Sequence, residues 1–358
     1  MRVLVVAEQL RRPVSGGIGT YVRGLVQGLA GMGGESAADV TLWASRPPRG
    51  GPDPLAALGP PVASSVLPAP LLVRAWDRGL GWLPGQPDLV HATSFAAPRT
   101  GAVPLSMMVH DLAWRHFPDA YPERGRRWHE AALGRALGRA ASLIVPSATV
   151  ADDLLAAGAT AARVEVVEEG CDHLAAPDHD GATALLGRLG VTGDFLLTVS
   201  TLEPRKNLPA LLAAYELARH RLPEPWPLVV VGPAGWGPSL RPGPGVVLAG
   251  QATGGVLTAL YGRARLVAYV PRREGFGLPV VEAMSCGAPV VASAVPSAGG
   301  AALEVDPFDV DDISDGLIKA ATDEARRQEL VAAGRARTTG LTWAAAARRH
   351  VELWAAIG

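Results

Sequence analysis

The chain has 358 residues, of which 48% are hydrophobic and 19% are charged, a composition typical of globular proteins. Its 33 basic and 34 acidic side chains give a formal net charge of −1, which argues against a polyanion such as nucleic acid as its partner. Since domains usually hold about 100–150 residues, this length favours two domains.

The two cysteines and the lengths of the apolar runs indicate where in the cell the protein is located. Cys171 and Cys286 stand far apart, so the sequence predicts neither a disulfide framework nor a zinc site. The opening run Arg2–Ala7 is too short for a signal peptide and is predicted to be a buried strand. No stretch reaches the roughly 20 apolar residues that span a bilayer. A cytoplasmic protein is therefore predicted, for which any contact with the inner face of the membrane would be peripheral.

The first half alternates short apolar runs with helical patterns, as in parallel α/β sheets. Strands are predicted at Arg2–Ala7, Asp39–Ala44, Asp88–His91, Ser106–His110, Ser142–Pro146 and Arg163–Val167. Helices are predicted at Thr20–Gly31, Arg124–Ala140 and Ala148–Ala157. A proline- and glycine-rich stretch between Arg46 and Gly85 predicts a long surface excursion instead of a buried element.

A polar, turn-prone run, Ala175–Gly181, predicts the boundary between a first domain, residues 1–174, and a second, residues 182–341. The second series has strands at Phe195–Ser200, Leu228–Val231, Val246–Ala249, Leu266–Tyr269, Pro289–Ser293 and Leu303–Val305. Its helices are predicted at Leu208–Arg219, Val256–Gly262, Pro279–Cys286 and Asp311–Ala321. A final helix, within residues 342–358, is predicted to cross back to the first domain. The pattern predicts two doubly wound, Rossmann-like sheets that face a cleft, where ligands bind at strand carboxyl ends.

The most specific motif, Arg272–Ala292, places a glycine-containing turn between a strand and a short helix. Pro279 suits the first turn of this helix, and Gly287 suits its C-terminal end. Unpaired N–H groups and the helix dipole favour a phosphate at the N-terminus. Glu274, before the helix, and Glu282, inside it, can accept hydrogen bonds from the hydroxyls of a ligand. The residues of the turn are Gly275, Phe276, Gly277 and Leu278.

Together with their flanking Gly-Phe-Gly-Leu-Pro and Ala-Met-Ser-Cys-Gly-Ala-Pro, these two glutamates resemble the motif of the retaining GT-B glycosyltransferases of family 4. The resemblance covers most of the chain, from Gly16 to about Asp306. It implies a GT-B fold and an enzyme that transfers a hexose from a nucleotide-diphosphate sugar. It also implies that Glu274 contacts the donor hexose, that Glu282 holds the nucleotide ribose, and that the turn's backbone amides meet sugar and phosphate.

An apolar strand ends just before two adjacent cations, Arg205 and Lys206. Cations at a strand end suit a diphosphate, because they offset the negative charge that develops on a leaving group. The two residues are similar to the basic pair of the family, which implies that they bind the donor's phosphates. A solvated Arg-Lys pair at the start of a helix is the alternative.

Glycines follow the first strand in Ser15–Val22. A nicotinamide-dependent oxidoreductase would require a third glycine, a tight turn and an acidic ribose ligand, and the segment has none of these. It is similar instead to the N-terminal glycine loop of the family, which implies that Gly16 and Gly17 approach the donor phosphates or the acceptor. A tight connection alone would also need glycine.

Two histidines end predicted strands of the first domain. His110 ends the fourth predicted strand and Asp111 follows it, and His91 ends the third. Because ligands bind at the carboxyl ends of parallel strands, His110 is predicted to contribute to the site, and the resemblance implies a contact near the hydroxymethyl group of the donor sugar. His91 and Asp111 are predicted on the acceptor side. A structural histidine is the alternative at both histidine positions.

The acidic run Asp306–Asp312 contains Asp-x-Asp, a pattern that holds a metal in the other large glycosyltransferase fold. Since it precedes a helix, it is interpreted as acidic capping, and neither a metal nor a cofactor is predicted besides the nucleotide-sugar co-substrate. The basic helix Arg124–Ala140 could contact anionic lipid, although a solvated basic face is favoured.

Because both glutamates are assigned to binding, no side chain stands out as the nucleophile of a double displacement. The resemblance implies a front-face mechanism with retention, in which the leaving phosphate, stabilised by the cations and the turn, accepts the acceptor's proton. The predicted catalytic residues are His110, Arg205, Lys206 and Glu274.

The segment Leu202–Leu208 is similar to mannosyltransferases that use GDP-mannose, so GDP-mannose is the predicted donor and a saccharide or glycoconjugate hydroxyl the acceptor. Two alternatives stay open: a UDP- or other nucleotide-linked hexose moved to a small-molecule or lipid-linked acceptor, and a non-catalytic nucleotide-sugar-binding subunit.

Two segments depart from the family, since Val166–Asp172 replaces a Pro-Asn-Gly-Val-Asp turn and Ala294–Gly300 replaces a longer loop. The sequence does not indicate the oligomeric state.

Overall fold

A computed structural model describes residues 1–33, 38–233 and 242–358 of the chain. Their contacts divide into two compact units, the first formed by Met1–Gly170 with Thr342–Gly358 and the second by Cys171–Leu341. Each unit has its own parallel sheet and hydrophobic clusters. The run Ala175–Gly181, predicted as a linker, lies inside the second unit and contains the start of a helix at His179.

Strands and helices follow one another along both units. The strands of the described residues are β1 (Arg2–Val6), β2 (Asp39–Ala44), β3 (Val62–Ser64), β4 (Leu89–Ala92), β5 (Leu105–Met108), β6 (Ser142–Val145), β7 (Val164–Val166), β8 (Leu196–Val199), β9 (Leu228–Val231), β10 (Val246–Gly250), β11 (Leu266–Tyr269), β12 (Val290–Ala292) and β13 (Leu303–Glu304). The helices are α1 (Gly16–Gly31), α2 (Ala69–Asp77), α3 (Ala113–His116), α4 (Glu123–Arg139), α5 (Ala148–Ala156), α6 (His179–Arg188), α7 (Leu208–Ala218), α8 (Gly254–Arg263), α9 (Leu278–Ser285), α10 (Val310–Thr322), α11 (Glu324–Thr338) and α12 (Trp343–Ile357).

The first unit is a seven-stranded parallel sheet with the order β3-β2-β1-β4-β5-β6-β7. Its central strand β1 is apolar from Val3 to Val6, and these residues are at most 1% exposed. Such a continuous apolar run is typical of a parallel strand covered on both faces. The chain turns to β2 on one side of β1 and to β4 on the other. This reversal of strand order is where open α/β sheets bind ligands.

The stretch between Arg46 and Gly85 is not wholly the surface excursion predicted from its prolines and glycines. It contains the edge strand β3, which pairs with β2, and the helix α2. Trp76 of α2 is 1% exposed, and its ring lies 5.0 Å from that of Trp43. The prediction was wrong because proline also begins helices, and Pro70 stands in the first turn of α2.

The last helix, α12, packs on α1 within the first unit. A Cβ atom at Gly24 would lie 2.0 Å from Trp343 Cε2, and one at Gly28 would lie 2.2 Å from the Trp343 carbonyl oxygen. Only glycine therefore permits this close approach of α1 to Trp343. The chain returns to the first unit after completing the second.

The second unit is a six-stranded parallel sheet with the order β10-β9-β8-β11-β12-β13. Its central strand β8 lies between β9 and β11, so the strand order reverses here as well. The twelve strands predicted from the sequence all appear, each within two residues of its predicted bounds. Helices α2, α3, α6 and α11 were not predicted, and α1 begins at Gly16, four residues before the predicted start.

Two local features bear on the sequence predictions. The Asp309 carboxylate accepts hydrogen bonds from the backbone N–H groups of Asp311 and Asp312 at 2.9 and 3.1 Å, so the acidic run caps α10 as predicted. On the basic helix α4, Arg135 forms an ion pair with Asp77 of α2.

Across the described residues, no helix has both the length and the hydropathy required to cross a membrane.

Candidate active site

Charged side chains of the second unit converge at the carboxyl ends of β8 and β11, where its strand order reverses. Arg205 and Lys206 follow β8 in a short 3-10 turn, Pro204–Lys206, and Glu274 follows β11. Because the carboxyl ends of neighbouring parallel strands meet at one edge of a sheet, residues separated by almost 70 positions become neighbours. The structure thus brings together three of the four residues predicted to be catalytic.

One carboxylate oxygen holds both cations. Glu274 Oε1 accepts hydrogen bonds from Arg205 Nη1 at 2.5 Å and from Lys206 Nζ at 2.7 Å. Glu203 Oε2 lies 3.7 Å from Arg205 Nε. The side chain of Lys206 is 12% exposed and that of Glu274 is 9% exposed, so solvent screens these pairs weakly. The alternative of a solvated Arg-Lys pair does not fit this burial.

Tyr269, the last residue of β11, also holds the lysine. Lys206 Nζ donates a hydrogen bond to the Tyr269 hydroxyl oxygen at 2.7 Å. Burial, followed by the neighbouring Arg205, lowers the pKa of Lys206 below its ordinary value of 10.5. Sequence reasoning missed Tyr269, although its place at a strand end, five residues before Glu274, was a usable signal.

Asn207 anchors the turn that carries the two cations. It has a left-handed backbone, with φ of 59°, and is 4% exposed. Its Nδ2 donates to the carbonyl oxygens of Val270 at 3.1 Å and Pro307 at 2.7 Å. The backbone N–H of Arg272 donates to the Arg205 carbonyl at 2.9 Å. These bonds fix the turn against the end of β11, so the cations are held in place before any ligand arrives.

The turn from Gly275 to Leu278 is buried and leads directly into α9. Gly277 has φ of 97°, and a Cβ atom there would lie 2.1 Å from Val295 Cγ1, so both conformation and space require glycine. The Ser297 hydroxyl donates to the Gly277 carbonyl at 2.8 Å, and the Ser297 N–H donates to the Phe276 carbonyl at 3.0 Å. The short segment 294–300, a departure from the family pattern, therefore supports the glycine turn.

Glu282, inside α9, is 9% exposed, and each of its carboxylate oxygens has a partner in the same unit. The Tyr261 hydroxyl donates to Oε2 at 2.9 Å, and His173 Nε2 lies 3.0 Å from Oε1. Burial raises the pKa of Tyr261 well above its ordinary value of 10, so its hydroxyl remains a donor. Tyr261 and His173 were not identified from the sequence.

In the first unit, a chain of hydrogen bonds links α1, β4 and α12. The Tyr21 hydroxyl lies 2.7 Å from His350 Nε2 and 2.9 Å from His91 Nε2. His350 Nδ1 is 2.8 Å from the Ala346 carbonyl, so it carries the proton and Nε2 accepts from Tyr21. His91 Nε2 then donates to the tyrosine oxygen, and Nδ1 accepts from Ser106 Oγ at 3.2 Å. With both histidines neutral, each hydroxyl and ring nitrogen of this hydrogen-bond network has a partner.

The prediction that His91 lies on the acceptor side is wrong for this structure. His91 has 0% exposure, and burial, assisted by His350 and His110, lowers its pKa well below its ordinary value of 6.5. Burial likewise lowers the pKa of His350 to about 4. A side chain without exposed surface cannot touch a substrate, so His91 has the structural role that the sequence left as its alternative.

His110 is more exposed, with 19% of its side chain accessible, and lies just beyond β5. Its Nε2 donates to the Thr93 carbonyl at 3.0 Å, and its Nδ1 lies 3.3 Å from Oε1 of Glu169, which is 4% exposed. Glu169 belongs to the departure noted at 166–172, and its carboxylate lies beside the imidazole of His110. Asp111 Oδ1 accepts a hydrogen bond at 3.1 Å from the N–H of Ala113, the first residue of α3. Roles of His110 and Asp111 in substrate contact stay predictions.

The expected N-terminal glycine loop is the first turn of α1. Gly16 has φ of 55°, which favours glycine, and the helix continues from it. A Cβ atom at Gly17 would meet nothing within 4 Å, so neither packing nor backbone strain explains this glycine. Gly19 differs, since its Cβ would lie 2.4 Å from Ser15 Cβ. The open space at Gly17 leaves room for a ligand beside the helix N-terminus.

Comparisons with known proteins match both units to one enzyme family. Residues 15–173 match the model of Glycosyltransferase Family 4, and residues 188–337 match that of Glycosyl transferases group 1. The D-inositol 3-phosphate glycosyltransferase 1 of Catenulispora acidiphila is 30% identical over 331 residues, which are 83% of this chain and 78% of that relative.

A second relative and a solved structure extend the comparison. The O-antigen chain mannosyltransferase B of Escherichia coli is 37% identical over 162 residues, so the match spans only 42% of each chain. The crystal structure of Anabaena HepE in complex with UDP-glucose superimposes with a TM-score of 0.73 at 19% identity, and covers 99% of this chain and 100% of that one. The chain therefore has the GT-B fold and belongs to the family 4 glycosyltransferases.

Proposed function

We propose that the protein transfers mannose from GDP-mannose to a hydroxyl of a saccharide or glycoconjugate, with retention of configuration. The observation that carries this proposal is the convergence of Arg205, Lys206 and Glu274 beside the N-terminus of α9. Two cations and a helix N-terminus together suit the pyrophosphate group of a donor. Mannose is favoured by the match to an O-antigen mannosyltransferase.

In the proposed reaction, the second unit binds the donor. Lys206 and Arg205 stabilise the negative charge on the departing diphosphate, and the N–H groups at the start of α9 add to this stabilisation. Glu274 binds hydroxyls of the hexose, and Glu282 binds those of the ribose. The first unit binds the acceptor, with Asp111 as a candidate contact. His110 keeps its predicted contact near the hydroxymethyl group of the donor sugar, and Gly16 and Gly17 keep their predicted approach to the donor phosphates or the acceptor.

A front-face route suits the state of the two glutamates. Each is engaged by neighbouring protein groups, Glu274 by the cations and Glu282 by Tyr261 and His173. With a donor bound, both glutamates are assigned to its hydroxyls, and neither is left as the nucleophile of a double displacement. The acceptor hydroxyl would therefore attack on the side that the diphosphate leaves, and a phosphate oxygen would take its proton. No metal or further cofactor enters this proposal, and the free cysteines Cys171 and Cys286 suit a cytoplasmic location.

One alternative has an observation of its own. HepE binds UDP-glucose, and a relative that matches 83% of this chain is a D-inositol 3-phosphate glycosyltransferase. A UDP-linked hexose moved to a small phosphorylated acceptor is therefore the second candidate function.

Thermal shift with a panel of nucleotides separates these donors. A ligand present at 100 times its Kd adds about 2.7 kcal/mol to the free energy of unfolding, so the preferred base and sugar should give the largest shift. We expect GDP-mannose to exceed UDP-glucose and UDP. An equal or larger shift with UDP-glucose would favour the alternative. A non-catalytic subunit would bind a donor but release no nucleoside diphosphate with any acceptor, and NMR of the product's anomeric proton tests retention.

A further inference from the structure

The two cations assigned to the donor's phosphates are already paired with carboxylates. Arg205 and Lys206 both donate to Glu274, and Glu203 approaches Arg205 from another side. These four side chains carry two positive and two negative charges, which sum to zero. A diphosphate that approaches such a neutral group gains little attraction until one of the carboxylates moves away.

Burial strengthens the competition between the carboxylates and a diphosphate for the two cations. The side chains of Arg205, Lys206 and Glu274 are 16%, 12% and 9% exposed, so water and salt screen the charges only partly. A carboxylate and a phosphate that shared the same N–H donors would repel one another strongly in this environment. Tyr269 is neutral and can keep its hydrogen bond to Lys206 whichever anion is bound.

We infer, on the basis of the function proposed above, that Glu274 is a resident anion which the donor's diphosphate displaces from Lys206 and Arg205. Displacement frees both oxygens of the carboxylate to accept hydrogen bonds from the hydroxyls of the donor hexose. A nucleoside diphosphate without a sugar displaces the same carboxylate but offers it no hydroxyls in return. The exchange therefore makes the donor bind more tightly than the product, and it favours product release.

Glu282 provides the matched comparison. It lies in the same glutamate pair and is as buried as Glu274, with 9% exposure at both. Its partners, Tyr261 and His173, differ from the two cations of the phosphate site. Neutralising Glu282 should therefore leave the binding of a bare phosphate group unchanged.

The test measures binding of inorganic pyrophosphate and GDP to the full chain by isothermal titration calorimetry. We expect E274Q to bind both ligands about tenfold more tightly than the wild type. We expect the same variant to release GDP from GDP-mannose about 100-fold more slowly, because the hexose has lost its ligand. E282Q and the charge-retaining E274D should keep pyrophosphate affinities within about twofold of the wild type.

The outcomes separate this inference from the proposed function. Unchanged or weaker pyrophosphate binding by E274Q, with a wild type that turns over GDP-mannose, would overturn the displacement and leave the function standing. Tighter binding by E274Q, with a wild type that turns over no nucleotide sugar, would support the displacement and contradict the function. Circular dichroism checks the fold of E274Q, and E274A removes the same charge should E274Q fail to fold.

Discussion

Both units group titratable side chains on or beside the strands where their strand order reverses, but these side chains differ in burial and in their partners. In the first unit, Tyr21, His91 and His350 are buried and joined in a neutral chain with every donor and acceptor satisfied. In the second, Lys206 and Glu274 form an ion pair and keep some exposure. The satisfied cluster suits a structural role, whereas charged groups held close to solvent suit a ligand that carries charge.

The largest effect should come from truncating Trp354, which packs against the buried His91 and His350 of the first unit. Trp354 of α12 is 0% exposed and its ring lies 5.1 Å from that of His91. We expect Trp354→Ala to lower the free energy of unfolding by about 4 kcal/mol, because it leaves a large cavity. Urea titration measures the loss, and Trp82→Ala, at a residue 68% exposed, is the control. Equal losses in the two variants would contradict the assigned core role.

Removing the side chain of Lys206 should lower the reaction rate more than the stability of the protein. We expect Lys206→Ala to slow GDP release from the donor by about 10²–10³-fold, since a leaving group loses its nearest cation. Single-turnover kinetics with saturating donor measures this loss. Arg221→Ala removes an exposed cation of the same unit, paired with Asp315 at the surface, and should leave the rate unchanged. If Lys206→Ala retained the wild-type rate, the comparison between the units would fail.

Acid should lower the free energy of unfolding through the buried His350, and it should do so between pH 6.5 and about 4. The pKa of His350 is about 4 in the folded chain against an ordinary 6.5, so below pH 6.5 the unfolded state takes up a proton that the buried ring resists. The free energy of unfolding should then fall by about 3 kcal/mol as the pH drops from 6.5 toward 4.

Thermal melts across this range measure that slope. His350→Gln should remove the share of this slope that comes from His350 and leave the share of the buried His91, whereas His220→Gln, at a side chain 71% exposed, should leave the slope as in the wild type. An unchanged slope in His350→Gln would contradict the contribution assigned to His350.

The smallest effect should follow loss of the hydroxyl that holds the lysine. Tyr269→Phe removes one hydrogen bond to Lys206 Nζ and should weaken GDP binding by about 1 kcal/mol. Calorimetry gives the affinity, and the pH profile of kcat/KM should shift, because the lysine has lost a neutral partner. Tyr215→Phe, whose hydroxyl donates to the Trp226 carbonyl elsewhere in this unit, is the control. A shift of equal size in the control would indicate a general structural effect.

The sequence predicted the fold class and the grouping of Arg205, Lys206 and Glu274, because strand ends and turn residues are local signals. It failed where long-range packing decides the role of a residue. His91 ends a strand just as His110 does, and only the arrival of His350 from α12 shows that it is buried. Similarly, nothing local to Glu169 indicates that its carboxylate lies beside His110, since the two are 59 positions apart in sequence.

The return of α12 to the first unit makes the second unit an insertion. The backbone N–H of Cys171 donates to the Leu341 carbonyl at 2.9 Å, so the two ends of the inserted segment are hydrogen-bonded neighbours. Residues 171–341 can thus be expressed as one continuous polypeptide, with nucleotide affinity as the readout. The complementary half needs only a short join, because a Cβ atom on Gly170 would lie 2.3 Å from the Trp343 backbone nitrogen.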